Sequence, residues 1–368
     1  MKNIGLIGSA DIVGKAIMAF FWFYLATLLE PEKYGEIFYY LSIAGIGSTL
    51  ALFGSSDIMT VFTAKKIKIE PVFYLISLVI GGIASLLIII IFYRIDIILV
   101  LFGSLLSNLI MGELLGKKLF ATYTKYFLTQ KILTLILGFG FYYMIGPEGI
   151  IYALGSSYVF FVWRVYKGLN SKVDFSLLKG NLSFITNNYL IQVAQIAKGQ
   201  ADKLVIAPIL GFSLLGNYTL AFQVIATIMI ISQIIFKYIL PYEASGQEKS
   251  HLKKLTILWS IGISILGIVL TPYIIPVIFP AYIEVIYAIQ IMLLHVIFGT
   301  ISLMYISELL SLGKAKILLI ARGTEASIVI VGMIILGQFF GIVGVAVAFV
   351  LSSVIQTIFL VLYIHTNK

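Results

Sequence analysis

The side chains with the clearest chemical capacity lie on one stretch. Asn188, Gln192, Gln195, Gly199 and Asp202 recur at spacings of 4, 3, 4 and 3, which stacks them on one face of a helix. Lys198 borders that face four residues before Asp202, within reach of an ion pair. The amides donate and accept hydrogen bonds, and a lysine offers a compact positive charge suited to phosphate. Such a stripe could line a wet cavity and hold a polar, anionic ligand, with Asp202 available to couple to a proton or sodium gradient. The competing reading is a Lys198–Asp202 pair that only locks helix packing. Asp11 and Lys15 form a smaller pair at i, i+4. They either snorkel to an interface or bring Lys15 to an anionic head group. Lys131, beside Gln130, carries the same two readings.

The remaining polar groups promise less. Glu113, Glu308 and Glu325 stand near Lys117, Lys314 and Arg322 and read as surface ion pairs. His251, His295 and His365 are far apart, so no metal site is expected; His295 is either a packing histidine or a proton relay. There is no cysteine and no phosphate-binding glycine loop, nucleophile elbow or paired-carboxylate cluster. An enzyme is not expected, and no cofactor is called for.

The elements that must position these residues are membrane helices. Of 368 residues, 61% are hydrophobic and 11% charged, with a mean hydropathy of +1.08. Soluble domains carry about 25% charged residues. Apolar runs such as 72–93, 255–279 and 342–364 reach the roughly 20 residues that cross a bilayer as helix, and they do not alternate as barrel strands do. The predicted spans are 11–29, 35–57, 72–92, 97–115, 122–145, 148–167, 182–210, 214–240, 255–279, 283–311, 317–338 and 341–364. The first lacks a cleavage site and reads as a retained helix. Asp202 then lies about 12 Å deep, eight residues from the end of its span.

With the N-terminus inside, the cytoplasmic loops collect Lys65, Lys66, Lys68, Lys117, Lys118, Lys125, Arg164, Lys167, Lys172, Lys179, Lys249, Lys253, Lys254, Lys314, Lys316 and Arg322, and the outer ones only Lys33 and Arg94. That bias predicts a multi-pass protein of the cell membrane with both termini cytoplasmic. It also accounts for the net charge of +9 without nucleic acid. Leu29 and Gly35, in 29–44, match Leu210 and Gly216 at an offset of 181, and 146–153 aligns with 341–348 at an offset of 195. Two parallel six-helix halves follow, 1–167 and 182–368, joined by a connector over 168–181. Pro272, Pro276 and Pro280 predict an irregular outer end for the ninth span, as a gate hinge or a plain ending. Gly81, Gly82, Gly138 and Gly140 read as packing positions.

Four stretches carry a family resemblance: Ala201–Phe222, Thr271–Met292, Leu309–Lys316 and Gly337–Ser352. In these the chain resembles the Wzx-type polysaccharide-biosynthesis flippases of the multidrug/oligosaccharidyl-lipid/polysaccharide (MOP) exporter superfamily, with Pro280 standing where a glycine is more usual. The resemblance implies an all-α integral membrane fold of about twelve helices, two bundles around a central cavity, and alternating-access flipping of polyprenyl-linked sugars. The amides would then meet sugar hydroxyls and Lys198 a pyrophosphate, with membrane lipid and other polysaccharide-assembly proteins as partners. A cation-coupled drug or metabolite antiporter of the same superfamily is the second reading. A membrane enzyme acting on polyprenyl phosphates and a non-transporting scaffold are more distant ones.

Overall fold

In the computed structural model, described over residues 2–53, 56–169, 173–196, 199–247, 249–312 and 314–366, regular structure is helical and no strand occurs among the described residues. The helices are α1 (Lys2–Leu28), α2 (Pro31–Ala51), α3 (Ser56–Ala64), α4 (Glu70–Phe92), α5 (Asp96–Gly116), α6 (Phe120–Ile145), α7 (Gly149–Ser156) and α8 (Val159–Leu169). After these come α9 (Ser176–Lys179), α10 (Leu182–Gln195), α11 (Ala201–Leu210), α12 (Phe212–Ala244), α13 (Ser250–Ile278), a 3-10 turn (Pro280–Val285), α14 (Ile286–Met292), α15 (Leu294–Ser311) and α16 (Ala315–Thr366). Among the described residues, nine helical stretches are long and apolar enough to cross a membrane. α4 shows why: Val79, Ile83, Leu86, Leu87, Ile90 and Ile91 are all exposed, a surface that only lipid can solvate.

Several of the twelve predicted spans take a different form. The span expected over 148–167 is broken at Ser157 and Tyr158 into α7 and α8. That over 182–210 is broken between α10 and α11, where Gly199 has φ +99°. The last two spans are fused in α16, bent at Gly341 (φ +55°, ψ −136°). The prolines behave unevenly. α13 passes through Pro272 and Pro276 to Ile278, and the backbone turns irregular only beyond, with Tyr282 outside helical geometry.

By packing, the chain divides into two compact units, Met1–Trp22 with Tyr39–Ala201, and Phe23–Phe38 with Asp202–Lys368. In the first, α3 lies against α5 across two glycines one turn apart. A Cβ at Gly112 would strike the Ser56 backbone, and one at Gly116 would stand 2.7 Å from the Thr60 oxygen, so small residues permit this approach. Thr60 Oγ1 seals it, reaching Ser56 O at 2.7 Å and Gly112 O at 3.0 Å. Around them Phe62, Phe73, Tyr74, Leu109 and Phe161 form a buried apolar core.

The second unit is sewn by hydroxyls, Ser232 to Thr300 at 2.8 Å, Ser302 to Thr357 at 2.8 Å and Ser264 to the Leu293 carbonyl at 2.9 Å. It also holds the tip of the α1–α2 hairpin. Tyr282 Oη donates to Leu29 O at 3.0 Å, and its ring meets Tyr34 edge-on. A Cβ on Gly35 would collide with the Phe212 oxygen, and one on Gly216 with the Pro31 oxygen.

Each unit also pairs a carboxylate with lysine near a lysine-rich loop. Glu113 accepts from Tyr74 Oη (2.5 Å), Lys117 Nζ (2.7 Å) and Arg164 (3.0 Å), and Lys117 reaches Glu70 at 3.4 Å. In the second unit Glu308 lies 3.5 Å from Lys253, which also pairs with Glu243, and Ser307 Oγ donates to Glu243 at 2.5 Å. The expected Glu113–Lys117 pair is therefore present, but buried. Glu308 reaches Lys253 from another helix. Glu325, expected at the surface, is buried and accepts from Gln356 Nε2 at 2.7 Å. Glu113 and Glu308 sit in matching words, Gly-Glu-Leu-Leu and Ser-Glu-Leu-Leu, 195 positions apart, the same offset that relates 146–153 to 341–348.

Candidate substrate-binding cavity

A polar cavity of about 280 Å³ opens inside the first unit. α5 contributes Ser104, Ser107, Asn108 and Met111, spaced i, i+3, i+4 and i+7, so one helical face. α6 contributes Tyr123, Phe127, Gln130 and Lys131, spaced i, i+4, i+7 and i+8, again one face; Ser56 and Tyr158 complete the lining. Among the described residues the lining holds no carboxylate and one cation, Lys131, whose Nζ stands 5.4 Å from the centre of the Phe127 ring. The Tyr123 and Phe127 rings lie parallel at 6.1 Å. α1 comes close to this wall because Gly14 has no side chain, since a Cβ there would meet the Phe127 ring and Lys131 Cγ. That approach brings Asp11 near enough to attract the Lys131 ammonium. Asp11 also pairs with Lys15 at 3.5 Å.

The hydrogen bonds behind the lining have a fixed sense. Ser157 Oγ donates to Leu154 O at 2.7 Å, Thr134 Oγ1 donates to Ser157 Oγ at 3.0 Å, and Gln130 Nε2 donates to both hydroxyls, at 2.9 Å to Thr134 and 3.1 Å to Ser157. On α5, Asn108 Nδ2 donates to Ser104 O at 2.9 Å, and Ser104 Oγ to Leu101 O at 3.0 Å.

The stripe expected over 188–202 does not survive as one face. The positive φ at Gly199 breaks the helix, and packing assigns α10 to the first unit and Asp202 to the second. Asn188 and Gln192 are half-buried on α10; Lys198 and the side chain of Gln195 lie outside the described residues. Asp202 is not at a wet wall. It is 2% exposed and accepts from Tyr218 Oη at 2.7 Å, with Lys203 Nζ at 3.6 Å. Lys203 is itself 4% exposed and lies over the Phe222 ring at 5.2 Å. Lys131 thus lines the cavity, Lys15 pairs with Asp11 on α1, and Asp202 belongs to the second unit. His295 is buried with its ring 4.5 Å from that of Phe349, as a packing histidine would be. Among the described residues no group of three or more acids or histidines could hold a metal.

Sequence reasoning missed Ser104, Ser107, Asn108, Tyr123 and Tyr158 at the cavity, and Lys203 and Tyr218 beside Asp202. The signal available for the cavity was the helical spacing of small polar residues on α5 and of aromatic and polar residues on α6.

No family model and no curated protein sequence matches the chain. Solved structures do. An inward-facing multidrug-resistance MATE transporter of the MOP superfamily superposes with a TM-score of 0.72 at 14% identity, over 96% of this chain and 94% of that one. The lipid II flippase MurJ in an inward closed conformation gives 0.70 at 13%, over 98% and 87%. A MOP superfamily transporter from Pyrococcus furiosus Vc1, described by the reverse polarity of its binding pocket, gives 0.64 at 15%, over 100% and 95%. These neighbours are transporters and flippases rather than enzymes, and the likeness runs the length of the chain. This chain is a multi-pass membrane protein with the fold of MOP-superfamily transporters.

Proposed function

We propose that the protein is a Wzx-type flippase that carries lipid-linked oligosaccharide across the cytoplasmic membrane by alternating access, with both termini inside and its halves at 1–167 and 182–368. The observation that supports this most is the lining of the first unit's cavity: hydroxyls and amides for a polyol, one ammonium, and no carboxylate. A site for organic cations needs negative charge to offset desolvation, and Lys131 opposes it. Lys131, and Lys15 with it, would meet the phosphate or pyrophosphate of a polyprenyl carrier. Asn188 and Gln192, and with them Gln195 and Lys198, stay candidates for contacts further along the sugar. About 280 Å³ is small beside ligand pockets of roughly 300–1,000 Å³, so the cavity takes the head of a glycan, not all of it. Asp202, with Lys203 as counter-charge, is the candidate for coupling to an ion gradient. Proteins that assemble polysaccharide are the expected partners.

The test is translocation of a fluorescent polyprenyl-diphosphate sugar in proteoliposomes. Lys131→Ala is expected to slow it at least about tenfold, the worth of one charge-assisted hydrogen bond. Unchanged flipping in that variant removes Lys131 from the site. Proton-driven efflux of an organic cation without sugar flipping would instead support the antiporter reading.

A further inference from the structure

The hydrogen-bond chain behind the cavity determines which end of an amide faces the ligand. A carbonyl cannot donate, so Ser157 spends its only hydrogen on Leu154 O. Thr134, 3.0 Å from that oxygen, must then donate to it and spends its own hydrogen there. Both hydroxyls are left as acceptors, and the Gln130 atom that lies 2.9 Å and 3.1 Å from them must be the NH₂ group. That NH₂ group is thereby turned toward the two hydroxyls behind the lining. Thr134 and Ser157 are fully buried and Gln130 is 3% exposed, so water does not compete for these bonds.

We infer that Gln130 is a specificity-determining residue that presents its carbonyl oxygen to a hydroxyl donor of the carbohydrate, with Thr134 and Ser157 as positioning residues. This rests on the sugar-transport reading above. Asn108 reinforces it from α5. One hydrogen of its NH₂ goes to the Ser104 carbonyl, and the Ser104 hydroxyl donates to Leu101, so the Ser104 hydroxyl oxygen is left as an acceptor on this wall. Gln130 and Ser104 thus offer acceptor oxygens to the cavity, and the donor Lys131 stands one residue from Gln130. A sugar hydroxyl that donates to the acceptors, next to an anionic oxygen that accepts from Lys131, complements both. A methoxy or deoxy position cannot donate and leaves a buried acceptor unpaired.

The experiment compares proteoliposome translocation of fluorescent polyprenyl-diphosphate N-acetylglucosamine with its 3-, 4- and 6-deoxy forms. Wild type is expected to handle one deoxy form about tenfold less well through KM. Thr134→Val keeps shape but removes the hydroxyl that holds the amide. It should bring that ratio down to about twofold by raising KM for the parent sugar alone, and Thr134→Ser should restore it. Ser157→Ala should behave like Thr134→Val. Equal losses for all four substrates in Thr134→Val would mark a merely structural role and overturn the inference, as would wild-type transport that ignores every deoxy position. Failure of wild type to move any of the four would overturn the transport reading itself, and this inference with it.

Discussion

Single residues in this protein do their work by pairing in places that water does not reach. Asp202 and Lys203 are adjacent in sequence and both nearly fully buried. Removing one partner of such a pair leaves a lone charge and costs about 3–5 kcal/mol, whereas removing both can be nearly neutral. Lys203→Met should therefore lower the melting temperature in detergent markedly, and Asp202→Asn with Lys203→Met should recover most of it. Similar melting of the single and double variants would dissolve the pair as a structural unit. Lys117, just past the end of α5, gives a pH signature. Burial works against its charge, but hydrogen bonding and attraction from Glu113, and then Glu70, prevail and raise its pKa. A raised folded pKa means the stabilisation is complete below the unfolded value near about 10.4 and disappears as pH climbs through the folded one. The melting-temperature gap between wild type and Lys117→Met should be constant at neutral pH and close in strong alkali.

At the scale of elements, close helix approach is the recurring device, and glycine is what permits it. Gly112→Leu should overpack α5 against the α3 backbone at a cost of about 1–3 kcal/mol, visible as a lower melting temperature, while Gly82→Leu, facing open space, should be close to neutral. The sequence revealed helices well and breaks poorly. Long apolar runs specify spans because lipid demands them, so α4, α5, α6, α12 and α13 fall where expected. The same periodicity rule failed between 195 and 201, because it presumes an unbroken helix. Gly199 was counted as a member of the polar face when its positive φ was what ended that face. The cavity was harder to see for another reason. Serine and threonine in a membrane helix can bond their own backbone, as Ser104 does to Leu101, so their spacing does not separate a wet wall from a packed one. Only the opposition of α5 to α6, a property of two helices at once, does that. Lys131, with Gln130, was open to either snorkelling or contact with an anionic head group, and the residues facing it from α5 were not legible.

At the scale of the whole molecule, the hairpin tip carries the most specific prediction. Tyr282→Phe removes only the bond to Leu29 O, and about 0.5–1.5 kcal/mol is expected from its loss. Gly216→Ala places a methyl against the Pro31 carbonyl and should disturb the same contact far more. Gly216→Ala should lower the melting temperature in detergent clearly more than Tyr282→Phe does. Equal melting of the two variants would show that the contact does not depend on the glycine.

The two glycines also set what this contact tolerates. Gly35 is pressed against Phe212 and Gly216 against Pro31, so each helix supplies one bare position to the other's backbone. A side chain at either would wedge the start of α2 away from the start of α12, and two separate positions must stay empty for one contact to close.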